Sequence, residues 1–217
     1  ELYRYTKLKE INFELIKWKG GKEWINSVNE IVKNYSLLIN EYESLSEDRQ
    51  IKYKKEYIGA LFGYSKFNIE NLLNYYDAYV DNKIFGKPIK EILFKKERLE
   101  SIPKIESYLN KIIELRKYNQ DNKNIDLKVK PSYFDVYYRL SQVEQIKGLV
   151  YLLKVEKEDK AKSFFELSND YVKKVLDLAK ERIVHEKFLF PDFVKLTEAI
   201  NLHFLKRYDE CHKNFFK

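Results

Sequence analysis

Only six glycines and four prolines punctuate a chain of 217 residues, and that scarcity constrains the fold more than any other feature. Tight turns draw on these two residues, so a chain this poor in them has few hairpins to close. Long helices with few connections suit it better than many short strands. The hydrophobic pattern agrees. Trp24, Val28, Ile31, Tyr35, Leu38, Tyr42 and Leu45 recur at alternating steps of four and three, the seam of a heptad helix. Ile25, Val32 and Ile39 flank that seam and make it wider than a two-stranded coiled coil needs, which puts the helix in a globular bundle. Val28, Ile31, Tyr35, Leu38 and Tyr42 are therefore expected in the core.

Other segments carry the same period. Leu8, Ile11, Leu15 and Trp18 predict a first helix that stops at Gly20 and Gly21. Ile51, Ile58, Leu61 and Phe62 mark a helix after the polar SEDRQ, and Ile69, Leu72, Leu73, Tyr76 and Val80 mark the next. Pro88 and Pro103 each suit a first helical turn, where the missing N–H costs nothing. The helix after Pro103 carries Ile105, Leu109, Ile112 and Arg116. The stretch KYNQDNKNIDLKVKPS (117–132) then breaks the pattern. Ile125, Leu127 and Val129 alternate like a strand, but no partner strand is evident, so an extended connector is expected.

This divides the chain into an N-terminal helical half, 1–118, a polar connector, 119–132, and a C-terminal half of helical hairpins, 133–217. Ser132 followed by Asp135 resembles a capping box with Asp in place of Glu. Val136, Leu140, Val143, Ile146, Val150 and Leu153 then form one apolar stripe, and Ala161, Phe164, Phe165, Val172, Val175, Leu176 and Ala179 a second. Pro191 opens a helix with Phe193, Leu196, Ile200 and Phe204. The expected fold is all-α, built of antiparallel helical hairpins as a solenoid-like array or an irregular bundle.

Composition bounds the function classes. At 44% hydrophobic and 35% charged the chain has enough apolar residues for a real core. No run approaches the ~20 apolar residues that span a bilayer, and ELYRYTKLKE has no apolar signal core. A single cysteine, Cys211, leaves no internal disulfide to form, and a cytoplasmic setting is expected. The net charge is +7, yet only seven of the 41 basic residues are Arg, the side chain whose planar fork reads phosphate best. Lys, Asn, Ile, Tyr and Phe are abundant together, as AT-rich codons would make them. The charge therefore argues only weakly for nucleic acid, with the Lys-rich 83–98 segment as the best seed of a basic surface. The 18 tyrosines, among them Tyr75, Tyr76, Tyr79, Tyr133, Tyr137 and Tyr138, suit helix faces that meet another protein.

Two stretches align: LVYLLKVEKEDKAKSFFE (149–166) and NLHFLKRYDECHKNFFK (201–217). Both run from an apolar helix end through Leu-Lys and a charged turn to a Phe-Phe pair. A third, IGALFGYSKFNIENLLNYY (58–76), has the same sense of helix, break, helix. Helical hairpins of this kind bury their apolar faces by stacking. The C-terminal third in this respect resembles tetratricopeptide-like and other α-solenoid proteins, although the Trp, Gly, Tyr and Pro signature of that repeat is missing. In general character, Lys- and aromatic-rich and helical, the chain also looks like the small immunity proteins of bacterial toxin systems. That resemblance implies a non-catalytic protein whose partner is another protein.

The rival chemistry lies in RYDECH. HEPN-type ribonucleases use an Arg and a His four to six residues apart near a helix end, and Arg207 and His212 resemble that pair. The resemblance implies His212 as general acid or base and Arg207 holding phosphate charge. Against it, Val155 and Lys160 take the equivalent places in the 149–166 copy, where no such chemistry exists. Cys211 and His212 are adjacent and point about 100° apart on a helix, so they do not pair as nucleophile and base. His203 falls on the apolar face set by Ala199 and Ile200, a structural position. Glu181 and His185 stand one turn apart, short of a metal site's three or four ligands, and Asp192 suits a helix start. No phosphate-cradling glycine loop or nucleophile elbow occurs. The expectation is a protein with no catalytic residue, cofactor or metal, whose partner is a protein rather than nucleic acid or membrane.

Overall fold

A computed structural model describes the backbone over residues 1–16, 22–84, 100–117, 131–153, 157–186 and 192–215, and side chains over 1–10, 26–73, 100–116, 131–152, 157–180 and 194–213. Among the described residues the protein is all-α. The helices are α1 (Leu2–Ile16), α2 (Lys22–Glu43), α3 (Glu47–Lys52), α4 (Lys54–Ile84), α5 (Ser101–Lys117), α6 (Tyr133–Leu153), α7 (Glu158–Glu186), α8 (Asp192–Phe204) and α9 (Tyr208–Phe215). They form two compact units, Glu1–Asp121 and Asn122–Lys217. Residues 119–130 of the expected connector lie outside the described residues, as do Trp18, Gly20, Gly21, Pro88 and Pro191.

In the first unit α1 packs on α2, α2 and α3 on α4, and α4 on α5. The seam of α2 is buried at Val28, Ile31 and Tyr35, then departs from the heptad. Ile39 is fully buried, whereas Leu38 and Tyr42 are only half-buried. The cause is the pitch of a straight helix. With 3.6 residues per turn the buried face drifts about 20° per heptad, so the eleven-residue step from Val28 reaches Ile39 and leaves Leu38 at the margin. A side-chain-free position lets α2 and α4 approach closely. A Cβ on Gly63 would lie 2.3 Å from Cζ of the buried Tyr35 ring. The Tyr35 hydroxyl ends on Glu10 Oε1 of α1, which gives this polar tip a partner inside the core.

Three expectations for this unit are corrected. The apolar groups at 58–62 and 69–80 share one uninterrupted helix, α4, so the 58–76 stretch contains no break. Ile51 does not begin that helix; it lies on α3 and is 70% exposed. On α1 it is Thr6 that is buried and Leu8 that is 61% exposed. The Thr6 hydroxyl donates to the Leu2 carbonyl at 2.8 Å, so the residue enters the core with its polar group already satisfied. Two residues later, Leu8 has turned away.

In the second unit α6 packs on α7, α8 packs on both, and α9 packs on α8. The capping box is present. The Asp135 carboxylate accepts from the Ser132 backbone N–H and hydroxyl, both at 2.8 Å, and the Asp135 N–H reaches back to the Ser132 hydroxyl at 3.3 Å. On α7 the buried seam is Ala161, Phe165, Ser168, Val172, Val175 and Ala179, in strict steps of four and three. Ser168 belongs to that seam because α8 and α6 supply its partners. The Asn201 amide donates to Ser168 Oγ at 2.8 Å and to Asn169 Oδ1 at 3.0 Å. Its oxygen accepts from Gln145 at 3.0 Å, and Ser168 donates onward to the Ser141 carbonyl at 2.7 Å.

This polar junction rotates α8 relative to its hydrophobic pattern. Leu196 is 48% exposed, and Ile200 and Phe204 are half-buried. The buried residues are Val194, Thr197, Ala199, Asn201 and Leu202. Burying an amide costs little when its hydrogen bonds are made, and Asn201 makes three.

Candidate functional site

The end of α8 sets the geometry of RYDECH. The Arg207 N–H donates to the Leu202 carbonyl at 2.9 Å and the Lys206 N–H to the His203 carbonyl at 3.0 Å, the paired bonds of a Schellman motif. Lys206 takes the left-handed conformation that such a turn requires, with φ 59°. Arg207 immediately precedes α9, its carbonyl accepting from the Cys211 N–H at 3.0 Å. Its guanidinium turns back onto Glu210: Nε donates to Oε1 at 2.7 Å and a terminal nitrogen to Oε2. That fork lowers the Glu210 carboxyl pKa and raises that of Arg207. Arg207 and His212 are both exposed.

The neighbouring candidates take structural places. Cys211 is half-buried and its thiol donates to the Ala199 carbonyl at 3.4 Å, tying α9 to α8. His203 is exposed, not on the buried face, because the polar junction rotates α8. Its ring meets the rings of Phe204 and Tyr208 edge-on at 5.7 and 5.6 Å. The side chains of Glu181, His185 and Asp192 lie outside the described residues, as do those of Tyr75, Tyr76, Tyr79 and the 83–98 segment. Asp192 is the first residue of α8. Among the described residues no group of three or more His, Cys, Asp or Glu is placed to hold a metal ion, and no helix is long and apolar enough to cross a membrane.

What the structure does assemble is tyrosine faces roofed by lysine. In the first unit the rings of Tyr42 and Tyr57 stack at 3.8 Å, nearly parallel. Lys111 Nζ stands 5.1 Å above the Tyr57 ring. Glu43 Oε1 accepts from the Tyr57 hydroxyl at 2.7 Å and from Lys111 at 3.0 Å. The tyrosine hydroxyl, and then the lysine, lower the Glu43 carboxyl pKa. Further along the same two helices, Lys104 Nζ stands 5.2 Å from the Tyr64 ring centre and 5.5 Å from that of Tyr108, and those rings meet edge-on at 5.2 Å.

The second unit repeats the theme. Tyr133, Tyr137 and Tyr171 stack in series at 6.1 Å per step, with Lys174 over the last two. Lys160 lies 4.7 Å over Tyr151. Such contacts hold an ammonium over an aromatic face and leave its N–H groups turned to solvent or a ligand. The sequence reading missed the first face. Its signal was the seven-residue spacing shared by Tyr57 and Tyr64 and by Lys104 and Lys111.

The chain matches no family model, no curated protein and no solved structure.

Proposed function

We propose that this chain is a non-catalytic helical protein that binds another protein, an array of helical hairpins of the bacterial immunity type that inhibits a toxin in the cytoplasm. The observation that carries the reading is the set of half-buried tyrosines under lysine: Tyr108 in one unit, Tyr137 and Tyr171 in the other. A tyrosine so held is stiff, large and wet at one end, which lets it anchor a contact at little entropic cost. Leu196, Tyr208 and Leu167 add exposed apolar area on the second unit. The Arg207 fork on Glu210 supports the non-catalytic part, because a guanidinium that holds a carboxylate is poorly placed to receive phosphate.

The test is co-expression with the product of the neighbouring gene. The expected outcome is rescue of growth from a toxic neighbour and a stable complex on size-exclusion chromatography. A non-toxic neighbour that forms no complex refutes the immunity reading. RNA cleavage by the purified chain, lost in His212→Ala, refutes the non-catalytic one, since loss of a general acid–base group lowers a rate by about 10²–10⁴-fold.

A further inference from the structure

The tyrosine–lysine face of the first unit contains a similar arrangement twice, and among the described residues only one copy has a carboxylate paired to its lysine. Tyr57 and Tyr64 lie seven residues apart on α4, and Lys111 and Lys104 seven apart on α5, so two turns separate the copies on each helix. In the first copy Lys111 sits over Tyr57, and both donate to Glu43. In the second, Lys104 sits over Tyr64 and Tyr108, and no carboxylate among the described residues lies within ion-pair distance of it. Lys104 is exposed and Tyr108 half-buried, so the second copy opens to solvent.

We propose that the second copy, Lys104 with Tyr64 and Tyr108, accepts an Asp or Glu side chain from an acidic segment of a partner protein. The first copy is the template. It shows a carboxylate held jointly by a phenol and an ammonium beside a stacked ring. The occupant follows from charge: among the described residues the two copies bring together Lys104, Lys111 and the Glu43 carboxylate, within a chain of net charge +7. Burial raises the pKa of the Tyr64 and Tyr108 hydroxyls further above neutral, where a phenol is already a donor. A lone exposed Lys–carboxylate pair is weak. The flanking rings and the phenol donor are what distinguish this lysine from others on the surface. The proposal rests on the protein-binding reading above and specifies its chemistry.

The experiment uses the full chain, a blocked oligoglutamate peptide, the matching oligoglutamine peptide and a uridine oligonucleotide, followed by amide shifts at low salt. The expected result is saturable shifts at residues 57–64 and 104–111 with the glutamate peptide and none with glutamine. They should be lost in Lys104→Gln, weakened in Tyr64→Phe, and unchanged in Lys173→Gln, where the lysine already pairs with Asp170 at 3.2 Å. Equal glutamate binding by Lys104→Gln, or stronger shifts of this face with the oligonucleotide, overturns the proposal. The two readings fail separately. A neighbour complex that survives Lys104→Gln unchanged overturns this site while protein binding stands. Glutamate shifts on this face without any protein complex sustain the site and remove the immunity reading.

Discussion

Truncating Asn201 to alanine probes whether hydrogen bonds, rather than hydrocarbon, dock α8. Asn201 is fully buried and makes three side-chain bonds. Two losses are partial, because Ser168 keeps its 2.7 Å donation to the Ser141 carbonyl and Gln145 keeps a 3.4 Å contact with the Thr197 carbonyl. The third is complete for Asn169 Oδ1. An orphaned buried polar group costs about 1–3 kcal/mol. One full and two partial losses give about 3–4 kcal/mol, a large share of the 5–15 kcal/mol that holds a typical domain. Native-state hydrogen exchange localises the effect. If reclosing is fast, about 3 kcal/mol accelerates exchange of the α8 amides by roughly 100-fold or more. Leu196→Ala, at a residue 48% exposed, should change it by less than about tenfold. The reasoning is refuted if Asn201→Ala exchanges no faster than Leu196→Ala, or if the acceleration appears outside the α6–α7–α8 region.

Other outcomes follow from the same contacts. Ile39→Ala should cost about 2–5 kcal/mol in urea denaturation and Leu38→Ala clearly less, since only Ile39 is fully buried; the reverse order would return the core to the heptad seam. Gly63→Ala should destabilise strongly, because its Cβ meets the Tyr35 ring at 2.3 Å, and thermal melting would register the loss. Lys206→Gly should raise the melting temperature slightly. It relieves a left-handed lysine at about 1–2 kcal/mol and gives up only the exposed pair with Glu158 at 2.9 Å. Tyr35 and Tyr57 ionise far less readily folded than their ordinary value of 10.0, through burial first and then the neighbouring Glu10 and Glu43. A raised folded pKa gives stability that is intact below the unfolded value and declines above it. The first unit should therefore lose stability as pH rises past about 10, with phenolate absorbance appearing together with unfolding.

The all-α class was legible because scarce turn residues and a 3.6-residue period act over the whole chain. The buried faces were legible where the core is apolar, as at Val28, Ile31 and Tyr35, or Val172, Val175 and Ala179. They were misread where polar groups enter the core with their partners. Thr6 displaced Leu8, and Thr197 and Asn201 displaced Leu196, because a hydropathy pattern scores the residue and not the bond it makes. The break expected between 58–62 and 69–80 has a related cause: Gly63 and Ser65 look like a boundary in the sequence, but they lie buried within one long helix, where the Ser65 hydroxyl donates to the Leu61 carbonyl at 2.8 Å. Of the candidate chemistry, the sequence set Arg207 and His212 at a plausible spacing, but the fork onto Glu210 depends on side-chain direction at a helix start. The tyrosine–lysine face joins α2, α4 and α5; the seven-residue spacing is visible within α4 and within α5, but no local pattern pairs one helix with another.

The amide junction under α8 also has a thermal consequence. Exposing apolar surface raises the heat capacity of an opening reaction, and exposing polar surface lowers it. Detachment of α8 uncovers Asn201, Gln145, Ser168, Asn169 and Thr197 along with Val194 and Leu202. Its heat-capacity change is thus smaller than for a hydrocarbon seam of equal area, such as the one through Val28, Ile31 and Ile39. The attachment of α8 therefore varies little with temperature and holds in the cold, where purely hydrophobic contacts weaken.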